Sequence, residues 1–173
     1  WSAGSRRSRS ATARSDRRVA VAVAVSPALD GAEARERFTA APVARLATAG
    51  ADARPHLVPV VFAVEGDTIY SAVDAKPKRT TSLRRLANVR ENPAVALLVD
   101  HYDDDWTQLW WVRADGRGRV LDPEAGPDAA EARRAVALLR ARYPQQRAAG
   151  AVLAVDVERW SGWSALAPGR RGG

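Results

Sequence analysis

The 173 residues include 27 Lys plus Arg, yet only two are lysines, Lys76 and Lys78, set either side of Pro77 and followed at once by Arg79. From Lys76 to Arg90 the chain carries six positive residues, Arg84 and Arg85 among them, and no acid. Two compact ammonium groups on flexible stems, a guanidinium and the N-terminus of a following helix make a cradle for phosphate oxygens. Arg84, Arg85 and Arg90 would extend the positive field toward carboxylates elsewhere on the same ligand. Two plainer readings stand beside this one: a solvated basic loop, or lysine made scarce by a bias toward Ala, Val and Arg.

A second concentration of chemistry is "HYDDDWTQLWW" at 101–111. Its aspartates could meet Mg²⁺ or Ca²⁺, but three consecutive carboxylates cannot all converge without further ligands. A solvated loop is expected, and no metal site is assigned. Trp110 and Trp111 fall on opposite sides of a strand, so one enters the core and the other could wall a planar ligand. Arg113 shares the face of Trp111 and could orient an anionic substrate or a cofactor carboxylate, or simply pair with an aspartate. His56 and Tyr102 are weak candidates for a proton donor; His56 and His101 read first as structural histidines. The absence of cysteine excludes disulfides, thiolate nucleophiles and Cys-ligated zinc. No Ser-His-Asp order with a nucleophile elbow is present.

The elements that must position these groups follow from periodicity and turn residues. Residues 26–42 read as a short helix with Ala34, Arg37, Phe38 and Ala41 on one face, ended by Pro42. Three strands follow at 43–49, 56–64 and 68–74, joined by "GADARP" and "EGD". Residues 80–93 form a helix capped by Thr80 or Thr81 and stopped by Asn92-Pro93. The run "AVALLVD" (94–100) reads as a strand buried on both faces. A long strand at 109–122 bends at Gly116 or Gly118. An amphipathic helix covers 126–144, and a last strand and turn cover 151–165. This order of six strands and three helices suggests a mainly β, α+β domain built as an antiparallel sheet closed into a small barrel. Without strand–helix alternation or a GxGxxG, a Rossmann domain is disfavoured.

The net charge of +7 is uneven: residues 1–26 carry six arginines against Asp16, 6 − 1 = +5, and the remainder only +2. That Ser/Arg-rich stretch is expected to be a disordered tail, with nucleic acid an unlikely partner. The folded domain is expected over 27–167, and 168–173 should fray. No apolar run reaches the length of a membrane span, so a membrane role is not expected and a cytoplasmic location is.

Three segments together, "ARLATAGADARPHLVPVVFAVEGDTIYSAVDAKPKRT", "LRRLANVRENPAVALLVDHYDDDW" and "LWWVRADGRG", resemble the split-barrel oxidoreductases related to pyridoxamine 5′-phosphate oxidase. The resemblance covers about residues 30–165 and is closest to the coenzyme F420-dependent (deazaflavin-dependent) branch of actinobacteria. The family's usual Asp-Gly turn reads Asp52-Ala53 here. The resemblance implies an FMN-binding type of six-stranded split barrel, working as a homodimer with a cofactor at each end of the interface. It places the cofactor ring against His56, Val58, Pro59 and Val60, with Ser71 offered from the third strand. Lys76, Lys78, Arg79 and Thr80 match the family's phosphate-binding segment, and Arg84 extends it. Trp160 joins the cofactor set on the same grounds, while Trp110 and Arg113 join it from the strand reading above, as a wall and an anion contact. The implied activity is hydride transfer between F420 and a small, electron-poor, unsaturated substrate. The alternatives are an FMN-dependent oxidase or reductase and a binding protein without turnover.

Overall fold

The computed structural model describes residues 28–74, 83–145 and 148–165. The basic stretch 1–26, the phosphate-binding segment Lys76, Lys78, Arg79 and Thr80, and the C-terminal 168–173 lie outside the described residues. In chain order the elements are α1 (Gly31–Ala40), β1 (Ala44–Ala49), β2 (Pro55–Val60), β3 (Ala63–Glu65), β4 (Thr68–Asp74), α2 (Arg84–Glu91), β5 (Ala94–His101), β6 (Trp110–Leu121), α3 (Ala129–Arg142) and β7 (Ala148–Ser164). Among the described residues no helix is long and apolar enough to cross a membrane.

The seven strands form one antiparallel sheet in the order β2-β1-β5-β6-β7-β4-β3. The single strand expected over 56–64 is therefore two strands, and they occupy opposite edges of the sheet. Only Val61 and Phe62 connect them, which holds the two edges within roughly 10 Å of each other at that point. The sheet must coil on itself, yet it does not close, because β2 and β3 share no ladder. Phe62 is fully buried in one core while Val61 packs against a second, so the crossing is anchored on both sides.

The first core fills the inside of the coil. Leu46, Leu97, Val99, Val112, Leu153 and Val155 point into it, and α1 covers it with Ala34 and Phe38. Asp30 caps α1 by accepting the Glu33 N–H at 2.8 Å. From below, α2 adds Leu86 and Val89, and Val89 fits over Gly118, where any Cβ would meet its methyl at 2.8 Å. This helix begins later than expected: Leu83 occupies the N-cap position and supplies no side-chain cap. The second core lies outside the coil, where α3 lays Ala132, Ala135, Val136 and Leu139 over β3, β4 and β7. The Arg142 guanidinium at the end of α3 donates to the carbonyls of Thr39 and Ala41 at 2.7 and 2.6 Å, tying α3 to the end of α1.

With α3 on one half of the outer surface, no element among the described residues covers the β2-β1-β5-β6 half. Strand β5 was expected to be buried on both faces; instead Val95, Leu97 and Val99 are buried and the alternate residues are not, Leu98 being 36% exposed. That bare half carries the candidate site.

Candidate groove on the bare sheet face

Strand register places the outward side chains in rows. One row runs Pro59, Arg45, Leu98, Arg113, Ser161 across β2, β1, β5, β6 and β7; the next runs Leu57, Ala47, Ala96, Asp115, Arg159. Leu57 is 65% exposed, a large apolar side chain with nothing over it among the described residues. From these rows Arg45, Ala47, Leu57, Ala96, Leu98 and Arg113, together with Asp100, Tyr102 and Trp111, line a groove of about 630 Å³. Its apolar residues are interleaved with a few charged ones, Arg45 and Arg113 standing on either side of Leu98, the usual composition of a site for a planar, partly charged ligand.

The charged groups on this face are ordered by one another. Arg45 Nη1 meets Asp100 Oδ1 at 2.5 Å. Asp115 takes two arginines at once: Arg113 Nε at 2.9 Å and Arg159 Nη2 at 3.0 Å. Arg159 reaches this position through a β-bulge. Asp115 pairs with Arg159 while Gly116 pairs with Val157, so Glu158 is the extra residue of β7. The inserted residue reverses the alternation, turning Arg159 outward and Trp160 inward. At the same corner Ser161 Oγ is buried and lacks a hydrogen-bond partner among the described residues.

The expected site residues divide between the two faces. Pro59, Arg113 and Tyr102 belong to the groove side. His56, Val58 and Val60 point the other way: His56 stands opposite the buried Thr48, Val58 packs against the first core and Val60 is buried. Ser71 is buried, and Trp160 meets the Phe38 ring edge-on at 5.1 Å between centroids. Trp110 lies on the core side under α1, with Arg37 over its ring at 5.7 Å and His101 stacked on it at 6.2 Å. Successive side chains of a strand point to opposite faces, so these six are not available to a ligand in the groove. Of the tryptophan pair it is Trp111, not Trp110, that walls the groove.

Arg84 opens α2 fully exposed, and Arg85 beside it is half-buried; neither has an ion-pair partner among the described residues. Burial pulls the Arg85 guanidinium below its ordinary value. The aspartates of the 103–105 loop have structural uses. Asp105 accepts the Thr107 N–H and hydroxyl at 3.0 and 2.7 Å, which holds its carboxyl below the usual range. Asp103 accepts the Asp105 N–H at 2.9 Å. Among the described residues no group of His, Asp and Glu could hold a metal ion.

Leu57, Arg45, Ala96, Leu98 and Asp100 did not emerge from sequence as site residues. Their signal was the alternation itself: in "VARLATA" and "AVALLVD" every second residue faces the groove, and several of those are apolar where a solvated face would be polar.

A family profile for pyridoxamine 5′-phosphate oxidase matches residues 31–164. The chain is similar in structure to an FAD-binding protein from Mesorhizobium loti (24% identity, 79% of this chain and 93% of that one, TM-score 0.60). It is also similar to a conserved hypothetical protein from Mycobacterium tuberculosis (21%, 84% and 93%, TM-score 0.62). An FAD-binding protein from Mycobacterium smegmatis aligns over 79% of this chain and 94% of its own at 21% identity and TM-score 0.52. No curated protein matches the chain. The profile spans most of the sequence, and the chain belongs to the pyridoxamine 5′-phosphate oxidase family.

Proposed function

We propose that this member of the family is an oxidoreductase that binds a flavin-type cofactor against its bare sheet face, coenzyme F420 in the first reading. The observation that carries the proposal is the groove: an apolar floor of Leu57, Ala47, Ala96 and Leu98, walled by Trp111 and Tyr102, with Arg45 and Arg113 on either side of Leu98. When bound, a reduced cofactor of this class supplies a hydride, here to an electron-poor, unsaturated substrate. The chain supplies what surrounds that chemistry. Leu57, Pro59 and Trp111 offer a platform that excludes water, and Arg45 and Arg113 hold charge at its edges. Tyr102 is the proton donor candidate that lies on this side; His56 is not. Lys76, Lys78, Arg79 and Thr80 keep the phosphate-binding role that the family resemblance gives them.

Two features choose between cofactors. Arg84, Arg85 and Arg90 carry positive charge beyond the phosphate segment, which suits the carboxylate tail of F420 and has no counterpart to meet on FMN. The FAD-binding descriptions of two similar structures favour an isoalloxazine instead, and FMN is the second reading. The exposed apolar side chains of Val43, Leu57 and Leu98 also suit contact with a second copy of this chain, giving a homodimer with the groove at the interface.

The test is a fluorescence titration of the full chain with F420 and with FMN, repeated on Leu98→Glu. The outward position lets Leu98→Glu fold, while a carboxylate in the apolar floor should abolish cofactor binding. Undiminished binding by the variant would place the cofactor elsewhere.

A further inference from the structure

We propose that Arg113 and Arg159, braced by Asp115, are a clamp for a carboxylate of the ligand seated in the groove, carried either by the substrate or by the tail of the cofactor. The inference rests on the reading of the groove as the ligand site and adds to it what the ligand must carry.

The charge count is the first argument. Two guanidiniums share one carboxylate, which leaves one positive charge uncompensated beside an apolar floor. An arginine has five N–H donors. Arg113 gives Asp115 its Nε and Nη2, and Arg159 gives Asp115 the same two groups. In both, Nη1 makes no hydrogen bond among the described residues. The carboxylate of Asp115 therefore fixes the two planes without exhausting their donors, and the ordering cost of a second anion has already been met by the fold.

The second argument is the bulge. A surface ion pair would form wherever side chains happened to meet, but Arg159 faces outward only because β7 accommodates Glu158 as an extra residue. Bulges next to binding sites re-aim single side chains in this way. The third is the unsatisfied Ser161 hydroxyl, the direct register neighbour of Arg113. It is a buried polar atom that the ion pairs leave without a partner at the same corner. The fourth is adjacency: Arg113 itself lines the groove, with Leu98 and Trp111 beside it. A ligand with an apolar body and one carboxylate satisfies floor and clamp together.

Cinnamate, an unsaturated carboxylate, and its methyl ester are the matched probes, titrated into the full chain and followed by calorimetry. Arg113→Gln and Arg159→Gln are compared with the wild type. The expected result is a preference for cinnamate over the ester in the wild type, reduced about tenfold in either variant, as for loss of one charge-assisted partner. Ester binding should stay unchanged. A second arm uses F420 and its glutamate-free form. If the clamp serves the cofactor tail, the variants lose affinity for F420 and not for the shortened form. Loss in either arm supports a carboxylate clamp and identifies its source. Variants that match the wild type for both cinnamate and F420 overturn it. Failure of F420 and FMN to bind the wild type, with cinnamate discrimination intact, would sink the cofactor reading and leave the clamp standing.

Discussion

Gly116 lies so close to Asp156 across the β6–β7 ladder that a Cβ at Gly116 would stand 2.2 Å from the Asp156 carbonyl oxygen. The obstacle is backbone, so no rotamer change relieves it. This contact is where the register shifts, and the shift is what turns Arg159 outward and Trp160 into the core.

Gly116→Ala should therefore destabilise the domain by about 2–3 kcal/mol, the upper range for forced overpacking. Urea unfolding reads this as a lowered midpoint at unchanged slope. A midpoint equal to that of the wild type would mean the ladder accommodates the methyl and the close approach is not a constraint.

Ala53 has φ 54, the left-handed region, in the turn between β1 and β2. Its N–H donates to the Gly50 carbonyl at 3.0 Å, and Asp52 accepts the Arg54 N–H at 3.1 Å, so the turn holds the residue there. The cost of this conformation for a residue with a Cβ is about 1–2 kcal/mol, while glycine would add about 0.4–1 kcal/mol of unfolded-state entropy. Ala53→Gly should stabilise the protein by the difference, roughly 0.5–1 kcal/mol, seen as a raised melting temperature. A lowered one would contradict the strain.

Arg119 joins β6 to β7 and α3, with Nε 2.7 Å from Asp156 and Nη2 3.0 Å from Glu131. Those hydrogen bonds hold both carboxyls below their usual values. A carboxyl depressed in the folded state contributes stability above its unfolded pKa, about 4, and loses it as pH falls through the folded value. Arg119→Met should accordingly be less stable than the wild type at pH 7, modestly because the groups are partly solvated. The gap should narrow below pH 4. Parallel curves from pH 7 to pH 2 would show that these carboxyls are not linked to folding through Arg119.

How far the sequence spoke depends on whether a signal was local. The alternation of "VARLATA", the helical face through Ala132, Val136 and Leu139, and the bend near Gly116 are local, and the structure has β1, α3 and a bulge there. The break of 56–64 at Val61-Phe62 is not local: the run contains no turn residue there, and only the coil of the whole sheet sends β3 to the opposite edge. The apolar run of β5 reads as a doubly buried strand because Ala96 and Leu98 look like core residues. They floor a groove instead, an exception to binary patterning of the sort that functional surfaces produce. Trp160 and Arg159 could not be assigned to faces without knowing that Glu158 is an insertion in the ladder.

If a phosphate-bearing flavin-type cofactor binds this protein, Lys76 and Lys78 carry the compact charges that should meet its phosphate. Titration of the wild type and of Lys76→Ala/Lys78→Ala with F420 and FMN should give binding by the wild type that the double variant loses, since both compact phosphate donors are gone. The F420 reading further predicts tighter binding of F420 than of FMN. Equal cofactor affinity in wild type and double variant, or a wild type that binds neither cofactor, would contradict the account.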